Sequence, residues 1–357
     1  MGMKEKVLPF LQREIDLQHI PGAVIHISYQ KETILQEAIG HRVVFPKKEP
    51  MKLETIFDLA SLTKVVATLP AILLLMEAGK LHLDDKVSYF FPEFARHDKS
   101  HITIKHLLTH SSGLKAHQEY FKESLHTEQI IERIFDEKLV ASTGEKVMYS
   151  DLGFILLYKI IEKVIEEDFQ TFLKRELFEK LHMSETSFQP NYERERFAAT
   201  EFSEALQDHK HGIVHDDNTE SMGGVSGHAG LFSTISDLAN FASMIENNGL
   251  FQGSRILTER SIAISRENFT PFSSEHRGLG WMLKSPAFSG CGDLFSTFSY
   301  GHTGFTGTSI WFDPDIQLHV ILLTNRVHFG RKDPILRLRP RLHNLIHAQI
   351  SRRSFDV

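Results

Sequence analysis

The sequence predicts an α/β protein of the α+β kind: one antiparallel sheet flanked by the helices of both chain ends, beside a mainly helical lobe. Strand-like runs lie near both ends of the chain, and the long middle is helical in pattern. No internal repeat, low-complexity tract or long linker interrupts the 357 residues, so a single domain over 1–357 is expected. Its α/β lobe would comprise about residues 1–60 and 241–357, and its helical lobe about 61–240. A cleft between two lobes is a preferred place for a ligand.

Residues 4–18 place Val7, Leu8, Leu11 and Ile15 on one helical face, and Pro21-Gly22 stops the helix. AVIHISYQ and ETILQEAI then read as a hairpin turning at Gln30-Lys31. From Ser61 onward the runs VVATLPAILLLMEAG, TIKHLLTH, FILLYKIIEKVIEE, FQTFLKRELFEKL and ISDLANFASMIENN have helical spacing. Pro70 inside the first of these removes a backbone donor and predicts a kink, and Gly79 predicts its stop. GLGWMLK, SYGHTGF, TSIWFDP and LHVILLTN read as strands, followed by an amphipathic helix around 334–350.

With 41% apolar and 24% charged residues and a formal net charge of -6, the chain has neither a nucleic-acid binder's basic balance nor a polybasic membrane patch. The expected partner is a small molecule or peptide. No run is read as reaching membrane-spanning length, and the N-terminus lacks the apolar core of a secretory leader, so the chain as written is expected in the cytoplasm. A leader removed ahead of Met1-Gly2-Met3 would instead place it outside the membrane. The single cysteine, Cys291, cannot form an internal disulfide and is read as neutral within a flexible Ser-Gly-Cys-Gly stretch.

Ser-x-x-Lys occurs three times, at Ser28/Lys31, Ser61/Lys64 and Ser112/Lys115. The first lies in a strand, where a separation of three points side chains to opposite faces, and the third lies in a Ser-Ser-Gly turn. Only Ser61 opens a helix, which puts Lys64 on its face and surrounds the hydroxyl with unpaired N–H groups at the positive helix end. A serine hydroxyl becomes a nucleophile when a neighbour takes its proton, and Lys64 can serve if its pKa is lowered. The competing structural reading makes Ser61 a helix cap and Lys64 a solvated charge.

Tyr149-Ser150-Asp151 is the one Tyr-x-Asp or Tyr-x-Asn in the chain and precedes the apolar helix FILLYKII. Tyr149 could shuttle protons and Asp151 could hold the lysine or a substrate amide, or Asp151 could cap the helix. His302-Thr303-Gly304 lies in a strand-like run, where Gly304 would let a ligand backbone approach and the N–H of Phe305 could pair with that of Ser61 as an oxyanion hole. A strand with a turn-prone Thr-Gly pair is the structural alternative.

Together these three elements resemble the serine β-lactamase and penicillin-binding-protein superfamily, and the tyrosine in the second motif resembles its class C β-lactamase, DD-peptidase and esterase branch. FDLASLTK, EAGKLHLDDKV, ITIKHLLTHSSGL and MGGVSGHAGLFSTISDLANF extend the resemblance over most of residues 20–325. It implies a β-lactamase/transpeptidase-like fold and an acyl-enzyme on Ser61. It further implies Lys64 and Tyr149 as the acid/base pair, with Asp151, His302, Thr303, Gly304 and Phe305 around the substrate and oxyanion, and no cofactor. Two departures matter, the first for the substrate and the second for the base. His302 stands where β-lactamases carry lysine, replacing a fixed charge with a group mostly neutral at pH 7, and Asp151 stands where asparagine is usual and tends to raise the lysine pKa. A D-amino-acid peptide, peptidoglycan fragment or ester is therefore expected ahead of a β-lactam, and a penicillin-reactive sensor with little turnover is the alternative.

His209, His211 and His215 with Asp216 and Asp217 fit no zinc spacing and read as a polar loop bordering the cleft. His228 in Gly-His-Ala-Gly would line the site or satisfy a turn, and MGGVSGHAG lacks the Gly-Lys-Ser/Thr ending of a phosphate loop.

Overall fold

The computed structural model describes residues 2–287 and 289–353. Its main sheet has seven strands in the order 282–283, 300–303, 309–313, 318–324, 22–29, 32–43 and 49–50, all neighbours antiparallel. The two ends of the chain therefore meet: Gly22–Tyr29 pairs with Leu318–Thr324 in unbroken register from Ala23↔Thr324 to Tyr29↔Leu318. Gln30 and Lys31 both take positive φ, 51° and 68°, which matches the right-handed strand twist in a two-residue hairpin.

Strands buried on both faces explain why the central runs are continuously apolar instead of alternating. One face packs on the terminal helices Lys4–Asp16 and Pro334–Arg353 through Val7, Leu11, Ile25, Val320, Leu338 and Leu342. Cys291 belongs to this cluster and is fully buried, so it is a packed core residue and not part of a flexible stretch. The other face, with Val24, Ile310, Ile321 and Leu323, shares one continuous core with the helices Leu69–Glu77, Asp151–Ile165 and Ile235–Glu246. Ile235–Glu246 packs directly against the two central strands, so the helical region and the sheet have no separate cores.

The helix expected from Ser61 is irregular. A 3-10 turn Ala60–Leu62 leads into a π turn Lys64–Thr68, and the α-helix proper is Leu69–Glu77. Pro70 thus sits in the first turn of that α-helix, where no preceding N–H is missed, and the irregularity falls one turn earlier than a Pro70 kink. Gly79 ends the segment with φ 68°. Ala60–Glu77 is, against the sequence reading, long and apolar enough to cross a membrane by composition, but 78% of it is buried in the core, which accounts for its hydropathy.

Candidate active site

Ser61 lies directly after Ala60, a non-glycine residue held at φ 46°. Such strain persists only where the surroundings over-determine it. Here the buried Asp58 accepts from the Ala60 N–H at 2.8 Å and from the His215 N–H at 2.6 Å, tying the serine turn to the loop opposite. Thr306 and Thr308 hydroxyls donate to the Asp58 and Leu59 carbonyls, fastening the same turn to the strand end that bears Phe305. Ser61 in the 3-10 turn and Lys64 at the start of the π turn are three residues apart on one helical face, and their side chains meet.

Lys64 is fully buried and its Nζ donates to Asp151 Oδ1 at 2.7 Å, Ser61 Oγ at 3.1 Å and the His228 carbonyl at 3.2 Å. An ammonium has three hydrogens, and all three have acceptors. Burial by itself would lower the Lys64 pKa, but the Asp151 carboxylate and the Tyr149 phenol outweigh it, and the net shift is upward. Burial likewise opposes charge on Asp151, yet Lys64, aided by His117 3.6 Å away, holds that carboxyl well below the usual range. The helix cap is Ser150, whose Oγ accepts from Gly153 N–H; Asp151 is not the cap and is free to face the lysine.

The Tyr149 ring lies near two cations, with Lys64 Nζ 4.8 Å and the Arg277 guanidinium 5.5 Å from its centroid. Arg277 is buried and paired with Glu275, but its Nε and Nη1 have no partner among the described residues. Two histidines flank the same ring, His110 at 4.4 Å and His302 at 6.0 Å between centroids. The Ser150 N–H donates to His110 Nδ1, which puts the His110 proton on Nε2. His302 Nδ1 donates to the Thr303 carbonyl at 2.9 Å, which leaves a lone pair on its Nε2. Burial, with Lys64 and Arg277 beside it, pushes the His302 pKa well below its ordinary value, so it is neutral at pH 7.

A cavity of about 360 Å³ opens above these groups, lined by Ser61, Tyr149, Asp151 and Phe305 together with His117, Glu119, Asp216, Asp217, His228 and Arg331. Of the residues expected at the site, His302, Thr303 and Gly304 do not line it. His302 is 1% exposed behind Tyr149. At Gly304 a Cβ would meet Thr308 Oγ1 at 2.1 Å and the Leu59 carbonyl at 2.4 Å, so the missing side chain admits the protein's own serine segment and not a ligand. The polar loop does border the cavity through His215, Asp216 and Asp217, and Asp216 pairs with the buried ring of His228 at 3.0 Å. His209 and His211 turn away, one tilted against the His328 ring at 4.2 Å and the other against Arg194.

Ala60, Asp58, His110, His117 and Arg277 went unnoticed in the sequence because none belongs to a spaced motif. The sole local signal was His110 closing the helical run TIKHLLTH beside Ser111-Ser112-Gly113.

This fold, with a serine one 3-10 turn before a buried lysine at the junction of sheet and helices, is the β-lactamase/transpeptidase-like fold. The chain belongs to the β-lactamase family, whose profile matches residues 10–344. It is 32% identical over 371 residues to the N-acetylmuramyl-L-alanine amidase of Bacillus subtilis (strain 168), covering 92% of this chain and 82% of that one. It is also 32% identical over 327 residues to a provisionally named D-alanyl-D-alanine carboxypeptidase of Escherichia coli (strain K12), covering 80% and 73%. Among solved structures it is similar to EstCE1, a hydrolase with promiscuous acyltransferase activity, with TM-score 0.77, 22% identity and coverage of 96% and 98%. The octameric penicillin-binding protein homologue of Pyrococcus abyssi gives TM-score 0.72, 25% identity and coverage of 90% and 73%.

Proposed function

We propose that this protein hydrolyses an amide bond in a peptidoglycan-derived peptide through an acyl-enzyme on Ser61. The observation that carries the reading is the 3.1 Å contact from the buried Lys64 ammonium to Ser61 Oγ, beneath a cavity lined by Ser61 and Tyr149. With its three hydrogens engaged, Lys64 is a donor, and Tyr149 is the group left to take the serine proton. The negative charge that Tyr149 carries before it takes the proton is stabilised by Lys64 Nζ and the Arg277 guanidinium, 4.8 Å and 5.5 Å from the ring centroid.

Ser61 Oγ attacks the substrate carbonyl carbon while its proton passes to Tyr149, which enters the step as the phenolate and leaves it as the phenol. The tetrahedral oxyanion takes the N–H groups of Ser61 and Phe305. Tyr149 then protonates the leaving nitrogen as the C–N bond breaks, leaving an ester on Ser61. Water adds to that ester, gives its proton through Tyr149 to the serine oxygen, and the acid departs.

An amide of peptidoglycan is supported by two relatives, one named for the muramyl-L-alanine bond and one for the D-alanyl-D-alanine bond. A β-lactam is disfavoured because His302 is neutral and buried, and because Glu119, Asp151, Asp216 and Asp217 line the cavity with Arg331 the sole arginine. A muramyl-L-alanine peptide, a D-Ala-D-Ala peptide, a chromogenic ester and a cephalosporin, each run against wild type and Ser61→Ala, test the proposal. Turnover of a peptide that vanishes in Ser61→Ala is expected. Equal rates in the two proteins would end it, and an adduct persisting for hours on Ser61 with no turnover of any substrate would favour a penicillin-reactive sensor.

A further inference from the structure

The turn that bears Phe305 is held from behind by an arginine from the far end of the chain. Arg339, in the helix Pro334–Arg353, is 4% exposed, and its Nη2 donates to the carbonyls of Gly304 at 3.0 Å and Thr308 at 2.9 Å. It makes no ion pair with a carboxylate among the described residues, and its Nε has no partner. Burial and the neighbouring Arg326 pull its pKa down to about 9, which leaves it charged at neutral pH. A buried charge without a counter-ion is costly, and such costs concentrate at functional sites.

The geometry of one peptide bond gives the charge a purpose. In a trans peptide the C=O and the following N–H lie in one plane and point in opposite directions. Fastening the Gly304 oxygen toward the terminal helix therefore aims the Phe305 N–H the other way, and Phe305 lines the cavity beside Ser61. The Gly304 carbonyl already accepts from the Gly307 N–H at 3.1 Å, so hydrogen-bond satisfaction alone does not require an arginine. Arg326 holds the carbonyl of the following peptide plane, that of Phe305, at 2.9 Å and stacks on the Phe305 ring at 4.8 Å, so Phe305 is fastened on the C-terminal side of its N–H as well.

We infer that Arg339 is a positioning residue for the oxyanion hole: it fixes the Gly304–Phe305 peptide plane and supplies, behind it, positive charge whose counter-ion forms only in the transition state. This rests on the reading of the Phe305 N–H as an oxyanion donor. A group acting this way stabilises the tetrahedral species and leaves substrate binding nearly untouched.

The test compares wild type, Arg339→Met, Arg339→Lys and Ser61→Ala with a chromogenic ester and with phenylboronic acid, which forms a tetrahedral adduct on a reactive serine. Circular dichroism and a melting curve establish folding. Arg339→Met is expected to lower kcat on the order of 100-fold with KM within about threefold, and to weaken phenylboronic acid by a similar factor. Arg339→Lys, which keeps a charge and a donor, should recover at least about tenfold of the lost kcat. A folded Arg339→Met with wild-type kcat and boronate affinity, or with a loss confined to KM, overturns the inference. Should the methionine variant not fold, Arg339→Gln carries the same readouts, and equality with wild type in both overturns it. An active Ser61→Ala would bring down the reading of the site itself, whereas an inactive Ser61→Ala beside a fully active Arg339→Met brings down this inference alone.

Discussion

Replacing Asp151 by asparagine removes the carboxylate that contributes most to keeping Lys64 an ammonium. At 2.7 Å and an effective dielectric constant of about 20, the carboxylate attracts the ammonium by about 6 kcal/mol. Burial of Lys64 works against its charge by several kcal/mol, and the attraction outweighs it. Asparagine removes the larger of the two contributions that oppose burial and leaves Tyr149 alone against it, so the Lys64 shift is expected to turn downward. The consequence for stability follows from proton linkage. In wild type the folded lysine has a raised pKa, so its contribution is fully present below the unfolded value near 10.5 and is lost only as pH rises through the still higher folded value. In Asp151→Asn the folded lysine releases its proton before the unfolded one does. The unfolded state then binds more protons, and stability rises with pH by up to about 1.4 kcal/mol per unit on the approach to pH 10. Denaturant unfolding at half-unit steps from pH 7 to 10 measures both curves, and groups common to the two proteins cancel in their difference. Parallel curves would refute the argument that Asp151 holds the lysine charged.

Three further outcomes follow from the same contacts. Gly304→Ala puts a Cβ 2.1 Å from Thr308 Oγ1 and 2.4 Å from the Leu59 carbonyl, and should cost at least ~2 kcal/mol of stability together with most activity; a fully active, equally stable variant would contradict the packing. His302→Lys places a third cation in a 1%-exposed position beside Lys64 and Arg277 and should destabilise by about 3 kcal/mol or more without conferring efficient β-lactam hydrolysis, as a melting curve and a cephalosporin assay would reveal. Arg277→Met removes the cation facing Tyr149 and should lower kcat about tenfold with little change in KM, so an unchanged kcat argues against any part for that charge.

The sheet was legible because its signals are local. Strand-like runs at the two chain ends, a hairpin turning at Gln30-Lys31, and a helical middle predicted the antiparallel sheet that joins both ends. Ser61, Lys64 and Tyr149 were legible for a related reason: a spacing of three and an isolated Tyr-x-Asp survive as patterns in one dimension. Asp151 was ambiguous, because capping and charge pairing ask for the same residue, and only the Ser150 Oγ contact with Gly153 N–H decides between them.

The amino-acid order by itself determined which side chains are candidates for the chemistry and which apolar runs must be covered, since both depend on residue type and short spacing. Tertiary structure alone decided what surrounds them. It turned Gly304 toward Leu59 in place of a ligand, sank His302 behind Tyr149, strained Ala60, and brought Arg277 and Arg339 to a site more than a hundred residues away from each along the chain at Ser61. Those placements come from closing a sheet between distant segments, and a residue whose part depends on what folds against it leaves no periodicity to read.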